Sequence, residues 1–161
     1  MYNYQNKLEI SKNEFELLKN LKNFKNLDYF QKLVIDKNNN MVCILSTQFM
    51  MLRATDPSNV QFFGDGYFNV PKSFYQIYAI HTFDSLTNMY IPCVYFLLSN
   101  KSYECYKLGF FNWKCLLEEE FQNRRKFSPQ SLMMDFEFSA RKACFDILPV
   151  PFASMLDSQS I

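Results

Sequence analysis

Two periods of apolar residues run along this chain, and the change from one to the other predicts where helices and strands lie. From Phe15 to Phe24 an apolar residue recurs every third position behind a Ser-x-x-Glu capping pattern, which is typical of an N-terminal helix. From Tyr103 to Phe121 the apolar positions advance by three or four, which predicts an amphipathic helix of about five turns. The predicted elements are a helix over 11–29, a hairpin of strands 33–35 and 41–45, a short helix over 47–54 capped by Ser46, strands over 60–68, 74–83 and 89–98, a helix over 103–121, a strand over 131–135 and a helix over 138–148.

The order of these elements predicts an α/β chain with a mixed sheet. Short connections join the strands over 60–68, 74–83 and 89–98, which favours antiparallel neighbours. If the helix over 103–121 is a crossover, the strand over 131–135 returns parallel to the strand over 60–68. Helices would then pack on the faces of the sheet.

Composition limits the classes of protein that the chain can belong to. Hydrophobic residues make up 48% of it and charged residues 20%, so a packed core is expected and global disorder is not. The net charge of +1 gives no broad field toward nucleic acid, although a local basic patch such as Arg124-Arg125-Lys126 is enough to contact phosphate. Such a triplet is more often a solvated loop than a phosphate contact.

Five cysteines without a C-x-x-C pair, together with a single histidine, His81, do not make a zinc site at ordinary spacing. They indicate buried, reduced thiols in an intracellular protein, and His81 on an apolar strand is typical of a core histidine. The N-terminus lacks the apolar segment of a signal peptide, and no apolar run approaches the ~20 residues that span a bilayer. We therefore expect no membrane partner.

Asp65 is the residue that the pattern leaves unexplained. It lies inside the aromatic run Phe-Phe-Gly-Asp-Gly-Tyr-Phe over 62–68, and two of the three glycines in the chain flank it. A charge in an apolar strand costs several kcal/mol unless it is paired, hydrated or bound to a cation. Asp135 ends a second apolar strand, and the parallel arrangement would bring both acids to one edge of the sheet. Two adjacent carboxylates repel unless a divalent cation lies between them, as in metal-assisted phosphoryl transfer.

Local alternatives exist for each acid. Asp65-Gly66 is a strong hairpin-turn signal, and Asp135 is placed to cap the following helix. Glu137 then falls in the first helical turn, where the helix dipole favours an acid.

Three ordered blocks of the chain resemble the Mutator-like (MULE) transposase domain. The first block covers 62–68 and 71–81, the second 91–101 and 103–106, and the third 133–137 and 140–149. The first contains Asp65 within Phe-Phe-Gly-Asp-Gly-Tyr-Phe, and the third contains Asp135 within Met-Met-Asp-Phe-Glu. The likeness implies an RNase H-like fold and a DDE transposase, which cleaves DNA and transfers strands at transposon ends. It implies that Asp65 and Asp135 are catalytic and hold Mg²⁺ or Mn²⁺, that the partners are DNA and a second or full-length transposase, and that the location is nuclear.

The chain also departs from that family. The family continues beyond the position of Pro149 with a strand, a Cys/His segment and a helix bearing a third acid, and residues 150–161 show no likeness to these. We therefore expect an N-terminal helix and the start of a hairpin over 1–40, a partial transposase domain over 41–149, and an irregular tail over 150–161. Two of three acids predict a transposon-derived protein that is catalytically incomplete alone. The alternatives are a non-catalytic module that binds DNA or protein, and a plain α/β interaction domain.

Overall fold

The described part of the chain is a sheet with helices packed against one face. The computed structural model describes residues 29–67, 74–85, 87–135 and 137–150, so the predicted N-terminal helix and the tail from 151 lie outside the described residues. The described elements are β1 (Phe30–Ile35), β2 (Met41–Leu45), α1 (Gln48–Ala54), β3 (Gln61–Tyr67), β4 (Gln76–Asp84), β5 (Met89–Leu98), α2 (Tyr103–Glu120), β6 (Ser131–Met134) and α3 (Phe138–Ile147).

The sheet is mixed, as the sequence predicts. Its six strands follow the order β1-β2-β5-β4-β3-β6, and every neighbouring pair is antiparallel except β3 and β6. The β1–β2 hairpin and the three consecutive antiparallel strands β3, β4 and β5 are confirmed. Because α2 carries the chain from β5 across to β6, β6 returns parallel to β3. The predicted α/β class is therefore confirmed.

The crossover helix α2 is fixed at its start and along one side. Ser102 is its N-cap, and the Ser102 Oγ accepts a hydrogen bond of 3.2 Å from the backbone N–H of Cys105. Gly109 lies at a close approach of α2 to the sheet, since a Cβ placed there would be 3.2 Å from Phe96 and 3.4 Å from Val42. No helix in the described ranges has the length and apolar character needed to cross a membrane.

Aromatic residues are the largest buried side chains of the core between the sheet and α2. Phe96 of β5 meets Phe110 with ring centroids 5.5 Å apart, and Phe62 of β3 meets Phe127 at 4.8 Å, both edge to face. Trp113 is completely buried beside them. Each of the three helices contributes buried side chains to this one cluster, whereas a smaller cluster around Met41 and Phe74 forms separately.

The cap of the short helix α1 differs from the sequence prediction. Thr47 caps it, because the Thr47 side chain accepts a hydrogen bond of 3.1 Å from Met50 N. The predicted cap, Ser46, is completely buried, and its hydroxyl donates a 2.8 Å hydrogen bond to the Cys93 carbonyl of β5. The pairing of β2 with β5, which a local pattern does not reveal, therefore decides which hydroxyl is free to cap the helix.

Candidate divalent-cation site

Asp65 and Asp135 occupy the positions that follow the last paired residues of the parallel strands β3 and β6. The ladder between β3 and β6 ends with Gly64 opposite Met134. Asp65 follows Gly64 in the sequence, and Asp135 follows Met134. The negative charge of Asp65 acts on the carboxyl group of Asp135. The structure therefore brings the two predicted site residues together, and their role in binding a cation stays a prediction.

Neither acid has the structural role that the local sequence offers. Asp65 is not in a turn, because it pairs with Ala79 within the β3–β4 ladder. Asp135 is not the helix cap, because Glu137 holds the N-cap position of α3 and no side chain makes the cap hydrogen bond. Glu137 consequently precedes the helix instead of lying in its first turn. Both local alternatives are wrong.

The two glycines beside Asp65 make room for large side chains from β4. Neither has a positive φ, so conformational freedom does not explain them. A Cβ at Gly64 would be 2.5 Å from the Tyr78 hydroxyl, and a Cβ at Gly66 would overlap the Gln76 amide. Tyr78 and Gln76 are completely buried against this strand. The glycines therefore allow β4 side chains to reach under the strand that carries the acid.

Asp135 is held in an environment that disfavours its charge. It is half-buried, and its Oδ1 atom is buried with no hydrogen-bond partner. Burial raises the pKa of Asp135, the negative charges of Glu137 and Asp65 add to the rise, and the Glu137 amide and the charge of Lys101 oppose it. A bound cation would reverse this situation, because it supplies both a partner for the oxygen and a compensating charge.

Glu137 is a third acid near the pair, and the sequence pattern assigns it to the helix instead. Its Oε2 accepts a hydrogen bond of 3.4 Å from Gln76, and the Gln76 carbonyl oxygen accepts one of 3.1 Å from the Tyr106 hydroxyl. Its Oε1 is buried with no hydrogen-bond partner. Burial and then the nearby Glu137 carboxylate raise the pKa of Tyr106, so this hydroxyl remains a donor. The Asp-x-Glu spacing of 135 and 137 is the signal that points to Glu137 in the sequence.

Tyr78 completes the buried polar group beneath the acids. Its side chain is completely buried, and its hydroxyl has no hydrogen-bond partner. Burial and then the negative charge of Asp135 raise the pKa of Tyr78. A buried hydroxyl without a partner is rare in folded proteins and commonly marks a functional position or a bound water.

The residues fit a hard divalent cation in part. Mg²⁺ and Mn²⁺ prefer carboxylate oxygens, and Asp65 offers an exposed carboxylate while Asp135 offers a buried oxygen that has no other partner. Within the described ranges, no three His, Cys, Asp or Glu side chains are arranged to hold a metal. A cation held by these two carboxylates alone would match the usual pattern for Mg²⁺, since that ion keeps several waters or phosphate oxygens.

His81 lies near the pair without joining it. It pairs with Phe63 in the β3–β4 ladder, is half-buried, and packs edge to face on Tyr95 with ring centroids 6.1 Å apart. Burial lowers the pKa of His81, and the charge of Asp65 partly opposes this shift. The imidazole is thus mainly neutral at pH 7 and acts as an aromatic packing group on the sheet.

Comparison of the chain with protein-family models, with curated proteins and with solved structures finds no match. The likeness of residues 41–149 to the Mutator-like transposase domain therefore remains a hypothesis. What the structure itself contributes is the geometry of Asp65, Asp135 and the buried polar side chains around them.

Proposed function

We propose that this chain is a transposase-related domain that binds one Mg²⁺ or Mn²⁺ ion through Asp65 and Asp135 and acts on DNA. The observation that carries the proposal is the ladder between β3 and β6, whose register sets the two acids side by side. The finer fold that we propose is RNase H-like. The succession of three antiparallel strands, a crossover helix and a parallel strand supports it, because the sequence resemblance implies the same order.

Each residue of the pair would contribute differently. When bound, the cation would supply a Lewis acid for phosphodiester oxygens of DNA. Asp65 is exposed on its strand and would hold the ion on the side open to a substrate. Asp135 would hold the ion from the buried side through Oδ1. Gln76 and Tyr106 keep Glu137 in place next to Asp135, so that the local negative charge is fixed before a ligand arrives.

We infer cation-dependent DNA binding without strand cleavage by the chain alone. Two-metal phosphoryl transfer needs ligands for two ions that bracket the attacking and leaving oxygens, and two carboxylates suffice for one ion. A non-catalytic DNA-binding module is therefore the form of the function that we favour. The partner in this proposal is duplex DNA, and the resemblance also implies a second transposase chain as a partner.

A sign reversal in DNA affinity tests the proposal. Removing an acid beside a DNA site strengthens binding by charge alone, whereas removing a cation ligand weakens it. We expect Asp65→Asn to bind a labelled duplex more tightly than the wild type in EDTA and several-fold more weakly in Mn²⁺. The control Glu119→Gln, an exposed acid of α2, shifts affinity in one direction under both conditions. A change in DNA affinity of the same direction for Asp65→Asn in EDTA and in Mn²⁺ would refute the proposal. Nicking of a supercoiled plasmid by the wild type would refute the claim that the chain alone does not cleave DNA.

A further inference from the structure

A basic cleft lies on another part of the surface. A cavity of about 360 Å³ separates the turn that follows α1 from the loop between α2 and β6. Arg124, Arg125 and Lys126 line it on the loop side together with Ser128, and Asn59 lines it on the other side. The three basic residues are exposed. A concave surface with three cations and short polar side chains has the chemistry of an anion site.

The positive charge of this cleft is not cancelled by neighbouring acids. In the part of the chain that the structure describes, none of the three cations has a carboxylate within ion-pair distance. Asp56 is the acid that lines the cleft, and its carboxylate already interacts with two other side chains. Ser58 donates to it through its hydroxyl at 2.7 Å, and Arg53 pairs with it at 3.2 Å. Hydrogen bonds from Ser58 and the charge of Arg53 lower the pKa of Asp56, so its charge is compensated locally.

The loop that carries the cations is held in a defined conformation. Gln122 and Asn123 both have a positive φ, of 48° and 60°, a conformation that costs a non-glycine residue about 1 kcal/mol. Hydrogen bonds from Asn123 N to Glu118 O at 2.9 Å and from Arg124 Nη2 to Gln122 at 2.7 Å hold the turn. The Arg125 guanidinium lies 5.7 Å from the centroid of the Phe121 ring. Two arginine side chains are thereby oriented before any ligand binds.

The cleft and the acid pair lie at opposite ends of the same two strands. The loop leads directly into β6, and the backbone N–H groups of Gln130 and Ser131 both donate to the Val60 carbonyl at the start of β3. Asp135 follows Ser131 by the length of β6, which is roughly 13 Å at 3.3 Å per residue. That length corresponds to about four base pairs of duplex, since the rise is 3.4 Å per base pair. One DNA molecule is long enough to contact both places.

We propose that the Arg124–Lys126 cleft binds the phosphate backbone of DNA. The same DNA molecule would contact the cation held by Asp65 and Asp135. The inference rests on the proposed function, because the choice of DNA over an acidic protein follows from the acid pair on the same strands. Arginine forks match phosphate oxygens in pairs, and a compact loop presents them without further ordering. The contact is to the backbone and therefore positions the duplex without reading its sequence.

Salt dependence of DNA affinity tests this assignment. We compare the wild type with the triple variant Arg124→Gln/Arg125→Gln/Lys126→Gln, using fluorescence anisotropy of a labelled 20-base-pair duplex in Mn²⁺. Three phosphate contacts change the slope of log affinity against log salt by about 2.7, so the advantage of the wild type over the variant falls about 40-fold between 50 and 200 mM salt. The control Lys37→Gln/Lys107→Gln/Lys142→Gln removes the same charge from exposed lysines elsewhere and leaves the slope within about one of the wild type. Trp113 emission verifies that each variant is folded.

The outcomes separate this inference from the proposed function. Equal slopes of log affinity against log salt for the two triple variants would contradict DNA binding by the cleft. Binding of polyglutamate by the wild type as tightly as DNA would contradict it as well. If the cleft variant keeps wild-type DNA affinity while Asp65→Asn still shows the sign reversal, the cleft is wrong and the cation site stands. If the cleft variant loses affinity but Asp65→Asn shows no reversal, the cleft binds DNA and the cation site is wrong.

Discussion

Replacement of Gly66 by alanine probes the packing that places Asp65 over the buried polar side chains. The added Cβ would lie less than 3.0 Å from the Gln76 amide nitrogen, so the Gln76 side chain must move. Gln76 is completely buried and bonds to both Tyr106 and Glu137. Its displacement therefore disturbs two hydrogen bonds at a buried position, where water does not replace them.

The expected loss of stability follows from these contacts. Overpacking a core costs about 1–3 kcal/mol, and each disturbed hydrogen bond adds about 1 kcal/mol. The reduced flexibility of the unfolded chain with alanine returns about 0.5–1 kcal/mol. We expect Gly66→Ala to lower the free energy of unfolding by about 3 kcal/mol, which in a domain of this size is about 6–12 °C in Tm.

Urea unfolding followed by Trp113 fluorescence measures this change, because Trp113 is the one tryptophan of the chain and is completely buried. Gly109→Ala is the matched control. Its Cβ meets Phe96 at 3.2 Å, which a small shift of the ring relieves, and alanine favours the helix, so we expect a change below about 1 kcal/mol. In a Gln76→Ala background the effect of Gly66→Ala should fall by at least half. An unchanged effect in that background, or no effect in the wild type, would refute the steric explanation of the glycine.

Two further predictions concern a buried ion pair and the thiols. Arg53 bonds to Asp84 at 3.0 Å, and the Asp84 side chain is 4% exposed, so Arg53→Met should lower the free energy of unfolding by about 3 kcal/mol, whereas Lys126→Met on the exposed loop should change it by less than about 0.5 kcal/mol. Equal effects of the two would contradict the structure. Iodoacetamide at pH 8 should label the native protein at Cys115 alone, because the other four cysteines are buried, and mass spectrometry of the native and urea-unfolded protein checks this; rapid native labelling of a second thiol would be inconsistent with the burial. Burial raises the pKa of the Cys43, Cys93 and Cys144 thiols to about 12, and it also raises the pKa of the Cys105 thiol.

The strands and the crossover could be predicted from the sequence because their signals are local. The period of apolar residues set the ranges of β5 and α2 to within a residue, and short connections predicted antiparallel pairing. The parallel return of β6 followed from the length of the helical segment before it. The neighbourhood of Asp65 and Asp135 could then be inferred from the two strand ends alone.

The surroundings of the acids could not be predicted, because they depend on contacts distant in sequence. The glycines beside Asp65 suggest a turn locally, whereas the reason for them is the bulk of Tyr78 and Gln76 on the neighbouring strand. Glu137 suggests a helix start locally, whereas the bond from Gln76 places it with the acids. The basic loop forms a cleft only because the turn after α1 folds against it.

Direct measurement of Mn²⁺ binding tests the central claim, that Asp65 and Asp135 together hold a divalent cation. Isothermal titration of Mn²⁺ into the wild type, Asp65→Asn, Asp135→Asn and the control Glu119→Gln compares the proposed ligands with an acid elsewhere. We predict one ion bound per chain, with affinity reduced about tenfold or more in each of the two Asn variants and unchanged in the control. Equal affinity in all four proteins, or no saturable binding by the wild type, would contradict the account.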